Sequence, residues 1–210
     1  MLIVIDGTAS SGKGTVAKML ASKLGFAYLD TGLLYRYVGY KAKKTNSLSN
    51  IDSLVKIAIS ITPEDLQSES LKSDEVAQLA STIAKEPKVR EALLSLQHNF
   101  AKTPTINNTK VLGAVLDGRD LGSFVFPKAD YKFFITATLI TRAQRRYKDL
   151  LVKKPNLTLT EVEKSLADRD FQDSSRPVAP LIKAEDAIFI DTTNYNPQQV
   201  LDILLSYIKI

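Results

Sequence analysis

The run Gly7-Thr8-Ala9-Ser10-Ser11-Gly12-Lys13-Gly14-Thr15 gathers glycines, hydroxyls and a lysine in one short stretch. Glycines let a backbone wrap tightly and turn its N–H groups toward a common point. A helix that starts there adds the positive end of its dipole. Lys13 contributes a mobile point charge. This is chemistry for the outer phosphates of a nucleoside triphosphate. In the general phosphate-loop pattern a Ser or Thr follows the lysine directly, whereas here Gly14 intervenes before Thr15. A glycine-rich strand-to-helix turn without a ligand is the bland alternative, and the order strand, loop, lysine, helix speaks against it. The loop alone specifies triphosphate binding and no more, because GTPases, motor domains and small kinases share it.

Three further segments carry charge where a cleft would need it. In Tyr28-Leu29-Asp30-Thr31-Gly32, followed by Arg36, the arginine is placed to reach a phosphate and Thr31 to donate or accept a hydrogen bond. Asp30 or Thr31 capping the helix over 33–43 explains the same residues equally well. In Leu116-Asp117-Gly118-Arg119-Asp120, two acids flank an arginine at the end of an apolar run. Asp117 stands where an acid would meet Mg²⁺ or its waters; a polar turn closed by glycines is the alternative. Arg169, Asp173 and Arg176 share one helix face at i, i+4, i+7, and Pro177 puts Arg176 near the helix end. Alone, that spacing favours a surface salt-bridge ladder. Arg142 and Arg146 are one helical turn apart, which suits one on adenine and one on phosphate; solvated arginines compete as a reading. The lone histidine, His98, reads as a partly exposed surface residue without a catalytic role.

The elements that must position these residues are legible as apolar runs. LIVI (2–5), VLGAVLD (111–117), YKFFIT (131–136) and AIFID (187–191) read as strands of a sheet buried on both faces. Helical periods separate them, over VAKMLASKLG after the first loop and over 75–102, 139–152, 158–171 and 197–208. Strands alternating with helices imply an α/β fold with a mostly parallel sheet. Residues 45–74 and 152–158 are polar and weakly periodic, and read as surface excursions. At 210 residues the chain suits one compact domain. The absence of cysteine excludes disulfides and thiolate metal sites and fits a reducing cytoplasm. The N-terminus lacks a signal-peptide pattern, and no segment approaches the ~20 apolar residues that span a bilayer. A formal net charge of +5 reflects either a lysine-rich surface or arginines gathered around polyanions. Nucleic acid ranks below both, because no Lys/Arg block is interleaved with aromatics.

GKGT resembles the loop of the nucleoside monophosphate kinases. The wider set IDGTASSGKGT, YLDTGLLYR, EVAQLAS, PKVREALL, LDGRDLGSFVFP, RAQRRY, RDFQDSSRPVAPL and DAIFIDTT resembles the bacterial cytidylate kinase family through nearly the whole chain. The resemblance implies a three-layer α/β/α P-loop kinase fold with a five-stranded parallel sheet. Its core would be 1–35, 106–149 and 159–210, its acceptor-binding arm 36–105 and its LID 150–158. It implies transfer of the γ-phosphoryl group of ATP to CMP or dCMP, giving ADP and CDP or dCDP. Residues 7 to 15 would hold ATP, with Arg142 beside it and Mg²⁺ on Thr15 and Asp117. Lys13, Arg119 and Arg146 would serve catalysis, with Arg36 and Arg119 clamping the acceptor phosphate. Ser81, Arg90, Asp120 and Arg176 would surround the cytosine edge, Thr31 would lie beside the monophosphate, and Arg169 and Asp173 would reach the sugar.

Physical chemistry supports that implication. Cytosine's exocyclic amine is a donor that wants a carboxylate, whereas uracil presents a carbonyl there. A phosphate nucleophile is already ionised near neutral pH, so no general base is required. The arm over 45–74 and the LID are the candidate closing elements. Two departures bear on acceptor ranking: Leu71-Lys72-Ser73 stands where the family has Ile-Arg-Thr, and Gln172 replaces an arginine. A monomer in the cytoplasm is expected, with neither nucleic acid nor membrane as partner. The rivals are a P-loop kinase for another small acceptor, a GTPase (whose Asn-Lys-x-Asp motif the sequence lacks) and a nucleic-acid-binding module.

Overall fold

The structure, a computed structural model, describes residues 1–152 and 154–209. Its elements run β1 (Leu2–Gly7), α1 (Lys13–Leu24), β2 (Ala27–Asp30), α2 (Thr31–Lys44), α3 (Ile51–Ile59), α4 (Asp74–Ile83), α5 (Pro87–Lys102), β3 (Thr105–Ile106), β4 (Thr109–Lys110), β5 (Ala114–Gly118), β6 (Tyr131–Thr136), α6 (Leu139–Leu151), α7 (Leu159–Ser174), β7 (Ile188–Asp191) and α8 (Pro197–Tyr207). Five strands form a parallel sheet in the order β2-β5-β1-β6-β7. The alternation of β1 explains its continuous apolar character. Ile3 and Ile5 face α1 and α8, in a cluster with Val16, Leu20, Phe133 and Leu204. Val4 faces the opposite layer, with Leu34, Val38, Leu54, Val89 and Leu93 from α2, α3 and α5. A strand packed on both faces needs side chains of one kind at every position.

This parallel α/β architecture is the one the sequence implies; the local differences are informative. Val111 and Leu112 belong to the apolar run but not to the strand: Val111 bonds the Pro104 carbonyl and Leu112 is 90% exposed. The helical period over 75–102 is broken after Ile83, because Pro87 has no N–H to continue a helix and instead opens α5. Residues 45–74 are not a loose excursion. Asn50 caps α3 by accepting from Ser53 N–H, and Leu54, Ala58 and Leu71 are fully buried. A hairpin of β3 and β4 turns on Asn107 and Asn108, both at positive φ, which asparagine tolerates. The segment 152–158 is short; α7 begins behind a capping box of Thr158 and Glu161. Lys153, within the expected LID, lies outside the described residues. Among the described residues no helix is long and apolar enough to cross a membrane.

All five strands point their carboxyl ends to one edge, where Asp6, Asp30, Asp117, Thr136 and Asp191 stand at or next to strand termini. The chain leaves β1 toward β2 on one side and later strands fill the other, so the crevice of an open α/β sheet opens beside β1. Asp6 fixes its floor. The carboxylate accepts Leu121 N–H at 2.9 Å and Gly122 N–H at 2.7 Å, tying the π-helical turn Leu121–Val125 to β1. Burial lifts its pKa to about 7 against the pull of those two bonds.

Gly7 shows how tightly the crevice is built. A Cβ at this position would stand 1.9 Å from the Ile135 carbonyl oxygen of the paired strand. Gly7→Ala should therefore lower stability by about 3 kcal/mol, the range of core overpacking, as read by urea denaturation. Wild-type stability in that variant would show that the strands part without cost.

Candidate active site

The loop between β1 and α1 turns through left-handed backbone at Ser10 (φ 57°) and Gly12 (φ 86°). No side chain caps α1 at Gly12, which leaves its first N–H groups facing the loop's hollow. The outside of the loop is held at several points. Thr8 and Thr136 share a hydroxyl bond of 3.0 Å, and the Thr192 hydroxyl donates to the Ser11 carbonyl at 3.1 Å. Ala9 N–H donates to Asp170 Oδ1 at 3.1 Å, so one amide of the expected cradle faces a carboxylate instead.

Lys13 lies at the start of α1, almost fully buried. Burial, helped by the positive Arg119, drops its pKa to about 7, while Asp117 and Asp30 oppose the fall. Asp117, at the end of β5, moves the other way: burial and then Asp30 raise it to about 7, against Lys13 and the Tyr28 hydroxyl. Tyr28 donates to Asp117 Oδ1 at 2.8 Å. Gly14 belongs to the same geometry, since a Cβ there would approach Asp117 Oδ2 to 3.3 Å. A β-branched or hydroxylated residue directly after the lysine would crowd that acid. Thr31 donates to the Asp117 carbonyl at 2.8 Å, across Gly118, where a Cβ would stand 2.7 Å from the threonine oxygen. Asp30 occupies the N-cap position of α2 but makes no side-chain cap bond, so the capping explanation of this segment does not hold.

A second compartment adjoins the first. Arg90 and Asp120 form a buried ion pair, and Arg90 also donates to the Ala84 carbonyl at 3.3 Å. Ser81 lies on the buried face of α4, one turn before Ala84. Burial raises the pKa of Asp120 against Arg90 and Arg176. Arg119 donates from Nε to Asp173 Oδ2 at 2.9 Å, and Arg176 Nε to the Asp173 carbonyl at 3.1 Å. Burial works against ionised Asp173, yet Arg119, Arg169 and Arg176 hold its carboxyl below the ordinary range. Burial and the nearby Arg119 lower Arg169 to about 10. Three buried arginine nitrogens here, Arg90 Nε, Arg169 Nε and Arg176 Nη2, have no hydrogen-bond partner. Such donors are rare inside proteins unless something comes to meet them.

The six residues from distant segments, 36, 119, 120, 169, 173 and 176, thus converge rather than scatter. Arg36 anchors through Nη1 on the Leu71 carbonyl at 2.7 Å, with burial lowering its pKa and Asp30, Arg119, Arg146 and Asp74 within electrostatic reach. In the Leu71-Lys72-Ser73 segment it is therefore backbone that meets Arg36, while Lys72 pairs with Glu69 on the surface. Thr15 is exposed at the loop's mouth, and Gln172 is exposed on α7. His98 lies against the Phe126 ring, its Nε2 3.1 Å from the Val125 carbonyl, outside the cluster.

The two arginines of α6 part company. Arg146 pairs with Asp74 of α4, which also meets Lys154 at 3.3 Å. Arg142 is buried, not solvated, and its bonded nitrogens serve the interior: Nε donates to the Ala137 carbonyl at 2.9 Å and Nη1 to the Ala9 carbonyl at 3.0 Å. Arg142, expected beside ATP, thus contacts the loop itself through Ala9. Sequence reasoning assigned no role to Asp6, Tyr28, Asp74 or Asp170. Asp6 ends an apolar strand and Asp170 adjoins Arg169, but neither signal names the backbone groups they bind.

Comparison with known proteins settles the family. A family model described as Cytidylate kinase matches residues 3–210. The chain belongs to the cytidylate kinase family. A protein of Paramagnetospirillum magneticum named cytidylate kinase is 43% identical over 208 residues, covering 99% of this chain and 97% of the relative. One of the same name from Azorhizobium caulinodans is 40% identical over 209 residues, covering 100% and 98%. A crystal structure of an uncharacterized protein from Eubacterium ventriosum superposes with a TM-score of 0.53 at 12% identity, covering 99% of this chain and 97% of that one, a likeness of fold alone.

The depressed Lys13 has a measurable consequence. Free protein at pH 8 holds Lys13 largely neutral, and a polyphosphate restores its charge, so binding of metal-free ATP should take up protons. Below pH 7 Lys13 is already charged and its share of the uptake should fade. Calorimetry in buffers of different ionisation enthalpy checks this; heats independent of buffer at pH 8 would contradict it.

Proposed function

We propose that this cytidylate kinase family member transfers the γ-phosphoryl group of ATP to CMP or dCMP, yielding ADP with CDP or dCDP, and that the residues gathered above do the work. The carrying observation is the buried Asp120 between Arg90 and Arg176, each of which has an N–H that lacks a protein partner. A cytosine amine meets the Asp120 carboxylate as a donor, and the ring nitrogen and carbonyl accept from arginine. Uracil would set a carbonyl against the same acid, an unpaired burial worth about 1–3 kcal/mol. Ser81 lines the base side, Arg169 and Asp173 hold the sugar, and Thr31 flanks the monophosphate.

The loop from Gly7 to Thr15 takes the β- and γ-phosphates through its open amides and Lys13. Arg36 and Arg119 clamp the acceptor phosphate. Electrostatic contact between Lys13 and Arg119 supports bringing the two phosphates side by side. Attack by an ionised phosphate oxygen needs alignment and charge neutralisation rather than a base. Arg146, within electrostatic reach of Arg36, adds charge toward the transferred group.

Among the described residues no group of three or more His, Asp or Glu could enclose a metal. Mg²⁺ keeps its waters and is held by one or two protein oxygens plus substrate phosphates. The exposed Thr15 hydroxyl and Asp117 would hold it, and the ion would offset phosphate charge. We take 36–105 as the acceptor arm and 150–158 as the LID; the Asp74 contacts to Arg146 and Lys154 support their meeting across the cleft. We take the chain as a monomer acting in the cytoplasm.

An enzyme-coupled assay of ADP release with CMP, dCMP, UMP and AMP tests the reading. CMP and dCMP should lead, and AMP turning over best would refute the acceptor assignment. Lys13→Ala should cut kcat by about 100-fold or more while CMP still binds; full activity would remove the loop's role. Asp120→Asn should shrink the CMP-over-UMP ratio by roughly tenfold or more, and an unchanged ratio would take Asp120 off the base.

A further inference from the structure

The Ala9 peptide is gripped from both sides by one ion pair. Its N–H donates to Asp170 Oδ1 at 3.1 Å, its carbonyl accepts from Arg142 Nη1 at 3.0 Å, and Arg142 meets Asp170 Oδ2 at 2.6 Å. Arg142 is itself fixed by Nε on the Ala137 carbonyl, where the chain turns from β6 into α6. We infer that Arg142 and Asp170 are positioning residues for the donor nucleotide: they fix the phosphate loop against the two helices that carry the LID. The inference rests on reading that loop as the ATP site.

Three observations carry it. Ser10 and Gly12, just beyond the grip, hold left-handed backbone, which persists in a non-glycine residue only where the surroundings over-determine it. The grip supplies that determination at the residue before Ser10. Secondly, α6 and α7 pack together over Ala143, Val162 and Leu166, and Ala9 is the loop residue in that cluster. Polar and apolar contacts therefore converge on one residue, and both helices flank 152–158. A change in the α6–α7 packing would move Ala9 and the amides that follow it. Thirdly, a carboxylate bonded to a phosphate loop is the wrong charge for holding polyphosphate. Asp170 spends its oxygens on Ala9 and Arg142, so its action on the loop is geometric, while its charge also reaches Arg119 and Arg169 on the acceptor side.

The signs of the two explanations differ, which makes the test decisive. Asp170→Asn removes a negative charge beside the phosphates, so a purely electrostatic role predicts tighter ATP. A brace predicts the reverse: KM for ATP and Kd for ADP should rise about tenfold, while Kd for CMP alone stays within twofold. Arg142→Gln should do the same, Arg142→Lys should recover part of the loss, and the double variant should be no worse than the weaker single, since the pair acts as a unit. Tighter ADP in Asp170→Asn would overturn the inference. So would damage from Arg142→Gln alone, which would mean that Arg142 touches nucleotide directly, or equal weakening of CMP, which would mean general disruption. Arg142→Lys, which keeps the charge, supplies the ADP-against-CMP comparison if Asp170→Asn fails to fold. ADP binding does not depend on which acceptor is phosphorylated, so failure of the acceptor reading in wild-type protein stays separate from failure of the brace.

Discussion

Like charges held close in a space poor in water repel one another strongly, and this cleft is built on that repulsion. Lys13, Arg119 and Arg169 push on each other, and burial adds to the cost of each charge. The fold keeps them together by interposing carboxylates that are themselves buried. Asp173 balances Arg119 and Arg176, and Asp120 balances Arg90. Neither set would survive alone, because an unpaired buried charge costs several kcal/mol.

The sheet makes this possible. Parallel strands end together, and the residues that follow them are released at one edge with their N–H and C=O groups no longer paired. Asp6 uses that edge to hold the turn Leu121–Val125, which sets the direction in which Arg119 and Asp120 leave β5. Tyr28 and Thr31 fix the two ends of Asp117, its carboxylate and its carbonyl. Glycines at 7 and 118 are required here by close approach, since a side chain at either would meet Ile135 or Thr31, and at Gly14 it would press on Asp117. The sequence thus places small residues where backbones converge and acids where backbones must be held.

What the sequence made legible follows from range. Strands reading as apolar runs and the loop with its lysine are local signals and appear as elements, although β5 begins only at Ala114. Arg169, Asp173 and Arg176, whose spacing alone favours a surface ladder, instead join Arg119 in the cleft. Arg142 was not legible, because its value depends on the carbonyl of Ala9, 133 positions away. Asp74 likewise acts on Arg146 and Lys154, which no spacing rule connects to it. The burial of α3 was hidden by its polar neighbours: Leu54 and Ala58 are too few to mark a face in a short helix, and only packing against α5 reveals it. Pro87 was visible, yet the period on either side of it matched so well that the break read as continuity.

The same electrostatics says why such a cleft should close. In water an arginine gains little from a phosphate, since solvent screens the pair and hydrates both partners. Arg90 Nε, Arg169 Nε and Arg176 Nη2 already lie buried, with no protein group to accept from them. A phosphate or base arriving there replaces repulsion among cations with attraction, and it finds donors whose desolvation the fold has already met. The contacts of Asp74 with Arg146 and Lys154 occupy two cations that would otherwise add to the repulsion. On the proposed reading, an acidic residue of the arm thus stands in for phosphate across the cleft, and nucleotide competes for charges that the fold has balanced only provisionally. Specificity and closure then share one origin: the ligand that best completes the set of unmet donors is also the one that best neutralises the cleft.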